Sequence, residues 1–235
     1  MHTKLIGITT LFALLAVGGL SLALAGEHKH DHDKKDHAKH EHKSKEAMKA
    51  KVGHKAPDFK LHDHNGKEVK LSQFFTGDEK KVVVLEWFNN ECPFVKHLYQ
   101  KNKTMNELAA KYKGRDVVWL TINSTKHHDR EHNAKLAKEW NIDRPILNDK
   151  SGEVGRIYGA KRTPEMFVIN RDGKIVYRGA IDNSPLGNTK GDDKVNYVHQ
   201  VLEQVTADET VTIKKTKPYG CSVKYAPKPK KDKQA

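Results

Sequence analysis

The sequence predicts an α/β fold in which a mixed central sheet carries helices on both faces. Three observations point there. Strand-like and helix-like segments alternate between residues 80 and 159. Two of the strand-like runs are rich in valine and almost continuously apolar, as befits strands buried on both faces. The alternation then gives way to two strand-like runs around Arg171-Asp172-Gly173, the turn of an antiparallel hairpin, so the sheet is mixed.

The elements follow in chain order. Residues 1–25 read as a secretory signal peptide: Lys4 opens it, an apolar run extends from Leu5 to Leu24, and Ala23-Leu24-Ala25 is a small-x-small cleavage site. Left uncut, a run of about 20 residues would reach across a bilayer and anchor the chain. Export to the periplasm or beyond is the expectation. Residues 26–52 are dominated by histidine, lysine and acids, with almost nothing to bury, and read as a disordered tether. A folded domain is expected from 53 to 205. It opens with a small hairpin around Asn65-Gly66. The run 80–88, "KKVVVLEWF", is a central strand. Apolar groups at Phe94, Leu98, Met105, Leu108 and Tyr112 then define one face of a helix over 93–112, with Pro93 at its first position, where a missing N–H costs nothing. The run 115–124 is a second buried strand, 129–140 an amphipathic helix, 151–159 a further helical turn or two, and 193–204 the last helix. Residues 206–225 form an extension, and 226–235 a basic, disordered tail.

Lysine and arginine number 43 against 30 acids, a formal charge of +13. Much of that excess sits in the chain's two ends, where it solvates them, and an exported protein has no nucleic-acid partner to meet. The pattern contains no phosphate loop, no Ser-His-Asp order and no paired-carboxylate arrangement. The two cysteines, Cys92 and Cys221, allow one intrachain pairing. Cys92 falls where the strand ends and the helix begins. Backbone N–H groups at a helix start stabilise a thiolate, which is the reactive form. Lys96 and His97, about a turn further on, add positive charge, and Glu91 opposes it. Cys221 is the only thiol available to resolve a sulfenic acid or mixed disulfide at Cys92. The competing reading is a static clasp, which in the chain-entropy model stabilises by about 4–5 kcal/mol for so long a loop.

Several stretches in order, "APDFKLHDHNGKEVKLSQF", "NNECPFVK", "RTPEMFVINRDGKIVYRGAID" and "GCSVKY", resemble the redoxin group of the thioredoxin superfamily. This group includes the alkyl hydroperoxide reductase and thiol-specific antioxidant proteins. The resemblance covers about residues 53–225 and implies a thioredoxin-like three-layer fold with redox chemistry at Cys92. It implies that Pro164, after Thr163, is the cis-proline that faces the cysteine and helps bind extended substrates. It also places Glu86 at the buried acid that passes a proton during exchange. The alternative for Glu86 is a solvated carboxylate at a sheet edge. Pro93, Asn89, Thr163 and Pro164 are the expected substrate-binding residues. This chain departs from its relatives at Asn89, where they often carry a first cysteine and peroxiredoxins a threonine or serine. Arg162 replaces a cysteine before Thr-Pro, and Val95 stands at the second position of a Cys-x-x-Cys pair.

The expected function is therefore thiol–disulfide exchange or thiol-dependent peroxide reduction through Cys92, with an external thiol reductant or a protein disulfide as partner. The alternative is a redox-inactive binding protein with a structural Cys92–Cys221 disulfide. No cofactor is required. His28, His30, His32, His37, His40 and His42, interleaved with Asp31, Asp33, Asp36 and Glu41, suit loose capture of zinc, copper or nickel. His127, His128 and His132 read as surface histidines.

Overall fold

The computed structural model describes residues 49–227. The leader, the histidine run and the last eight residues lie outside them. Among the described residues no helix is long and apolar enough to cross a membrane.

A five-stranded sheet organises the chain, in the order β5-β4-β3-β7-β8. β3 (Val82–Phe88) is central and buried at every position. It runs parallel to β4 (Val117–Asn123), which runs parallel to β5 (Ile146–Asn148). On its other side β3 pairs antiparallel with β7 (Glu165–Ile169), and β7 pairs antiparallel with β8 (Ile175–Gly179). The mixed sheet expected from the terminal hairpin is present. So is the leading hairpin, β1 (Lys60–His62) with β2 (Glu68–Lys70), whose turn is fastened by Asp63 accepting the N–H groups of Asn65 and Lys67.

Side chains alternate across a strand, so β3 feeds two cores. Val82, Val84 and Phe88 face one cluster, and Val83, Leu85 and Trp87 face the other. The first cluster is covered by α1 (Pro93–Lys96), α2 (Thr104–Tyr112), α3 (Arg130–Glu139) and α5 (Tyr197–Thr206), the last contributing Val198, Val201, Leu202 and Val205. The second cluster is covered by α4 (Glu153–Tyr158), the leading hairpin and the 3-10 turn Leu71–Phe75. Each fully buried aliphatic side chain contributes roughly 1.5–3 kcal/mol, and both faces are needed to hold β3 dry.

Three expectations need correction. The helix over 93–112 is not continuous. After α1 the chain makes a π turn, His97–Lys101, closed by Asn102 N–H donating to His97 C=O at 3.0 Å. Lys103 then adopts a left-handed conformation (φ 53°) before α2 begins. Leu98 and its neighbour Tyr99 on this turn both face the core. The last helix starts at Tyr197, later than 193, because Asn196 caps it by accepting His199 N–H at 2.9 Å. Finally, residues 49–52, read as the end of the tether, pack on the fold: Ala50 is buried and donates to Ile157 C=O at 3.2 Å. Beyond α5 the chain runs back across the molecule and ends in β9 (Cys221–Ser222), which pairs antiparallel with β6 (Arg162–Thr163).

Candidate active site

Cys92 occupies the cap position of α1, with Pro93 first in the helix. The turn that leads into it is tied by its own atoms. Cys92 N–H donates to Asn89 C=O at 3.1 Å, and the Asn89 side-chain oxygen accepts Glu91 N–H at 2.8 Å. Asn89 was expected to touch substrate; it is buried, and its amide oxygen is spent on this turn. Cys92 itself is 1% exposed.

The cis-proline expectation is met: the Thr163–Pro164 peptide is cis. Thr163 is buried, and its C=O lies 3.0 Å from Cys92 Sγ. Glu165 fixes this loop from below, accepting Lys161 N–H at 2.7 Å and Arg162 N–H at 3.2 Å while Arg178 pairs with its other oxygen.

The second thiol reaches the same place. β9 sets Cys221 opposite Thr163, and Thr163 Oγ1 donates to Cys221 C=O at 3.5 Å. The approach depends on Gly220. Its φ is +111°, and a Cβ there would overlap the Thr163 carbonyl oxygen. Tyr219 anchors the chain just before, donating to Asp182 Oδ1 at 2.6 Å with its ring 5.7 Å from that of Phe94. Tyr225 anchors it just after, donating to Ala160 C=O at 2.8 Å. Both cysteines are free thiols.

Their ionisation is asymmetric. Burial pushes the Cys92 thiol up, but hydrogen bonds from the Cys221 thiol, the Val95 and Cys221 backbone N–H groups and the Thr163 hydroxyl more than offset it, so it lies below its ordinary value. Cys221 is pushed up to about 11, first by burial and then by its bond to Cys92. Cys92 therefore ionises first, with Cys221 as its proton-bearing neighbour. The helix-start contribution enters through Val95 N–H; no hydrogen bond joins Lys96 or His97 to the sulfur.

Glu86 is wholly buried, so the solvated-edge alternative is excluded. Its oxygens accept from Tyr99 at 2.7 Å, Trp119 Nε1 at 2.9 Å, Thr121 at 3.3 Å and Arg144 at 3.4 Å. None of these partners is Cys92. Arg144 is itself buried, stacked 5.5 Å from both the Tyr99 and Trp119 rings, and supplies the counter-charge. The geometry gives Glu86 an ion pair under the first core rather than a proton path to the sulfur.

Glu91 turns away from Cys92 toward His127 (2.8 Å) and His128 (3.3 Å), which draw its carboxyl down. The three groups bring ligand atoms within 4.8 Å of one another. Asn123 decides the proton count there. Its oxygen accepts Thr125 N–H, so its NH2 faces Asn133 Oδ1 and His128 Nδ1. That leaves His128 protonated on Nε2, a donor to Glu91 and not a ready ligand. His128 stacks on His132 at 3.8 Å. His28, His30, His32, His37, His40 and His42 lie outside the described residues.

Of the residues singled out in the sequence, the structure brings Cys92, Cys221, Pro93, Thr163 and Pro164 together; sequence reasoning left open whether the arm carrying Cys221 returns to Cys92. It missed Tyr219, Gly220, Tyr225 and Glu165. "PYG" signalled a turn, but nothing in the pattern said which backbone it would press against.

The AhpC/TSA family model matches residues 52–178. The thiol-disulfide oxidoreductase ResA of Bacillus thuringiensis is 27% identical over 158 residues, covering 67% of this chain and 80% of that protein. A solved structure of an uncharacterized conserved protein from Geobacillus kaustophilus is 29% identical with a TM-score of 0.67, over 76% of this chain and 94% of that one. A hypothetical protein from Sinorhizobium meliloti is 26% identical with the same TM-score, 0.67, over 75% of this chain and 95% of that one. Fold, cis-proline loop and family match agree, and the chain belongs to the AhpC/TSA family as a thioredoxin-fold oxidoreductase of the redoxin group.

Proposed function

We propose that this chain is an exported redoxin whose two thiols cycle between a dithiol and an intramolecular disulfide, with Cys92 attacking and Cys221 resolving. The observation that carries the reading is geometric: β9 sets Cys221 opposite Thr163, whose C=O accepts Cys92 Sγ–H at 3.0 Å, and both thiols are free. The lowered Cys92 thiol beside the raised Cys221 thiol supports it. A resolving thiol does its work when it keeps its proton until the attacking sulfur has reacted.

In peroxide reduction the Cys92 thiolate attacks one oxygen of the O–O bond. The bond breaks, the other oxygen leaves as alkoxide and takes a proton, and Cys92 becomes a sulfenic acid. The Cys221 sulfur then attacks the Cys92 sulfur. Water leaves and the disulfide forms. An external dithiol returns two electrons and two protons. In exchange with a disulfide, Cys92 attacks one substrate sulfur, forming a mixed disulfide and releasing the other as a thiolate. Cys221 then attacks the Cys92 sulfur, closes the same intramolecular bond and releases the second substrate thiolate, so the substrate leaves reduced. Thr163 supports both routes by holding Cys221 beside Cys92, its hydroxyl donating to Cys221 C=O. Pro93 and Pro164 shape the walls of the site, and Asn89 holds the turn. No cofactor enters either balance. Export rests on the leader at residues 1–25, and loose metal capture by the histidine run is a separate property of residues 26–52.

The test is mass mapping of both cysteines during graded peroxide and reductant treatment, with Cys221→Ser alongside. One equivalent of peroxide should join Cys92 to Cys221 with loss of two hydrogens, and mild dithiol should reopen the bond. Cys221→Ser should instead accumulate a trappable sulfenic acid at Cys92. A bond that stays closed under mild dithiol, with Cys92 inert in the variant, would establish the clasp instead.

A further inference from the structure

Cys92 is shut against large reagents by the chain's own C-terminal arm, and the way that arm sits indicates what the site accepts. β9 lies antiparallel on β6, Thr163 facing Cys221 and Arg162 facing Ser222. The arm continues the pairing with Val223 N–H on Lys161 C=O at 3.3 Å, and Lys126 N–H takes Lys224 C=O at 2.9 Å. Cys221 is thus the cysteine of an extended peptide, laid on the backbone beside the cis-proline with its sulfur directed at Cys92. A polypeptide disulfide approaching Cys92 needs that same backbone edge, since strand addition is how an extended chain gains main-chain hydrogen bonds. The edge is taken. The arm lies beyond the residues that match the family model, which end at 178.

We infer that the arm sets substrate class: docked, it reserves Cys92 for small peroxides and excludes polypeptide disulfides, and Gly220 is the residue that lets it dock. The inference rests on the reading of Cys92 as the attacking thiol. A peroxide has to admit only two oxygen atoms beside the sulfur, whereas a peptide has to displace β9, Tyr219 from Asp182 and Tyr225 from Ala160. Oxidation reinforces the arrangement. Attack of Cys221 on the sulfenic acid releases water and joins β9 to the start of α1, fixing the arm where it is docked. The external dithiol that reopens the bond attacks the Cys221 sulfur, which is the half-buried member of the pair.

The experiment measures two second-order rates at Cys92 in a Cys221→Ser background: sulfenic acid formation with hydrogen peroxide, and mixed-disulfide formation with an unstructured peptide carrying an activated disulfide. Three proteins are compared, namely Cys221→Ser alone, Cys221→Ser with Gly220→Val, and the chain ended after Lys217. Circular dichroism and thermal melting report whether each is folded. If one arm variant fails to fold, the other carries the comparison. As a measurement independent of both, the synthetic peptide YGSSVKY is titrated into reduced Cys221→Ser and into the shortened chain. With each rate expressed per Cys92 thiolate at that variant's own measured midpoint, opening the arm should raise the peptide rate about tenfold or more while the peroxide rate changes less than about threefold. The synthetic peptide should bind the shortened chain and not the arm-bearing one. Equal peptide rates with the arm docked and opened would overturn the inference while leaving Cys92 a redox thiol. A peroxide rate that rises as much as the peptide rate would also overturn it, since the arm would then be a general lid. Failure of Cys92 to react with peroxide in every variant would sink the redox reading and this inference together.

Discussion

At the scale of single residues, the site is a balance of proton positions around two sulfur atoms. The Cys92 anion is held by donors, of which the Cys221 thiol is the foremost. Cys221→Ala removes that donor while burial of Cys92 persists, so the Cys92 midpoint should move up. The thiolate's ultraviolet absorbance, followed against pH in the reduced proteins, checks this. The same shifts set how stability follows pH. Cys92, depressed in the fold, contributes stability above the ordinary thiol value that is lost as pH falls through its lower folded value. Cys221, raised to about 11, contributes stability below the ordinary value of about 8.5 that is lost as pH rises toward about 11. Reduced wild type should therefore weaken across that alkaline window more than Cys221→Ala does. A Cys92 midpoint unmoved by Cys221→Ala would refute the assigned donor. The residues of this balance were legible to different degrees. Cys92 announced itself by position, between a valine-rich run and a proline. Glu86 was legible as a charge in an apolar strand, but its partner Arg144 was not, because nothing in "DRPILN" says that its guanidinium turns inward across the sheet.

At the scale of elements, continuous apolar runs and the hairpin marked by Asn65-Gly66 were read correctly, and the two-residue strands and the break within 93–112 were not. β3 and β4 carry seven residues each, enough to show a continuous apolar run. β6 and β9 carry two each and have no period to see; they exist because Gly220 lets two backbones meet. The break between α1 and α2 was hidden for the opposite reason. The gap of seven from Leu98 to Met105 suits a helix as well as it suits a π turn followed by a restart. The restart has an energetic signature. Lys103 sits at φ 53°, where a side chain costs about 1 kcal/mol that glycine avoids. Lys103→Gly should stabilise the protein by about 0.5 kcal/mol, the relief of strain less glycine's greater entropy in the unfolded chain. A urea titration reads this as a higher midpoint at unchanged slope. A lower midpoint would mean that the Lys103 side chain contributes packing that the backbone geometry conceals.

At the scale of the whole molecule, the arm brings Cys221 back to the start of α1, and in the proposed cycle oxidation turns that contact into a covalent loop from residue 92 to residue 221. Closing so long a loop removes much of the unfolded chain's freedom, worth about 4–5 kcal/mol in the chain-entropy model. A static clasp would return most of that. A pair built to reopen should return less, because the reduced form has favourable contacts of its own: the Cys221 thiol and the Val95 and Cys221 backbone N–H groups, turned to a sulfur anion that the disulfide no longer offers. Those donors lose a charged acceptor on oxidation, and hydrogen bonds to charged groups are worth about 1.5–3 kcal/mol. The expected net gain on oxidation is therefore about 2 kcal/mol, a rise in melting temperature of roughly 4–8 °C for a domain of this size. Calorimetry of the oxidised and reduced forms measures it at a pH above the Cys92 midpoint found by thiolate absorbance, and Cys221→Ser should show no such difference. A gain at the full chain-entropy value would mean that the fold favours the closed bond without reserve, the thermodynamics of a clasp. A smaller gain is what the asymmetric thiol pair requires, because the same contacts that ready Cys92 for attack lower the free energy of the state to which the cycle must return.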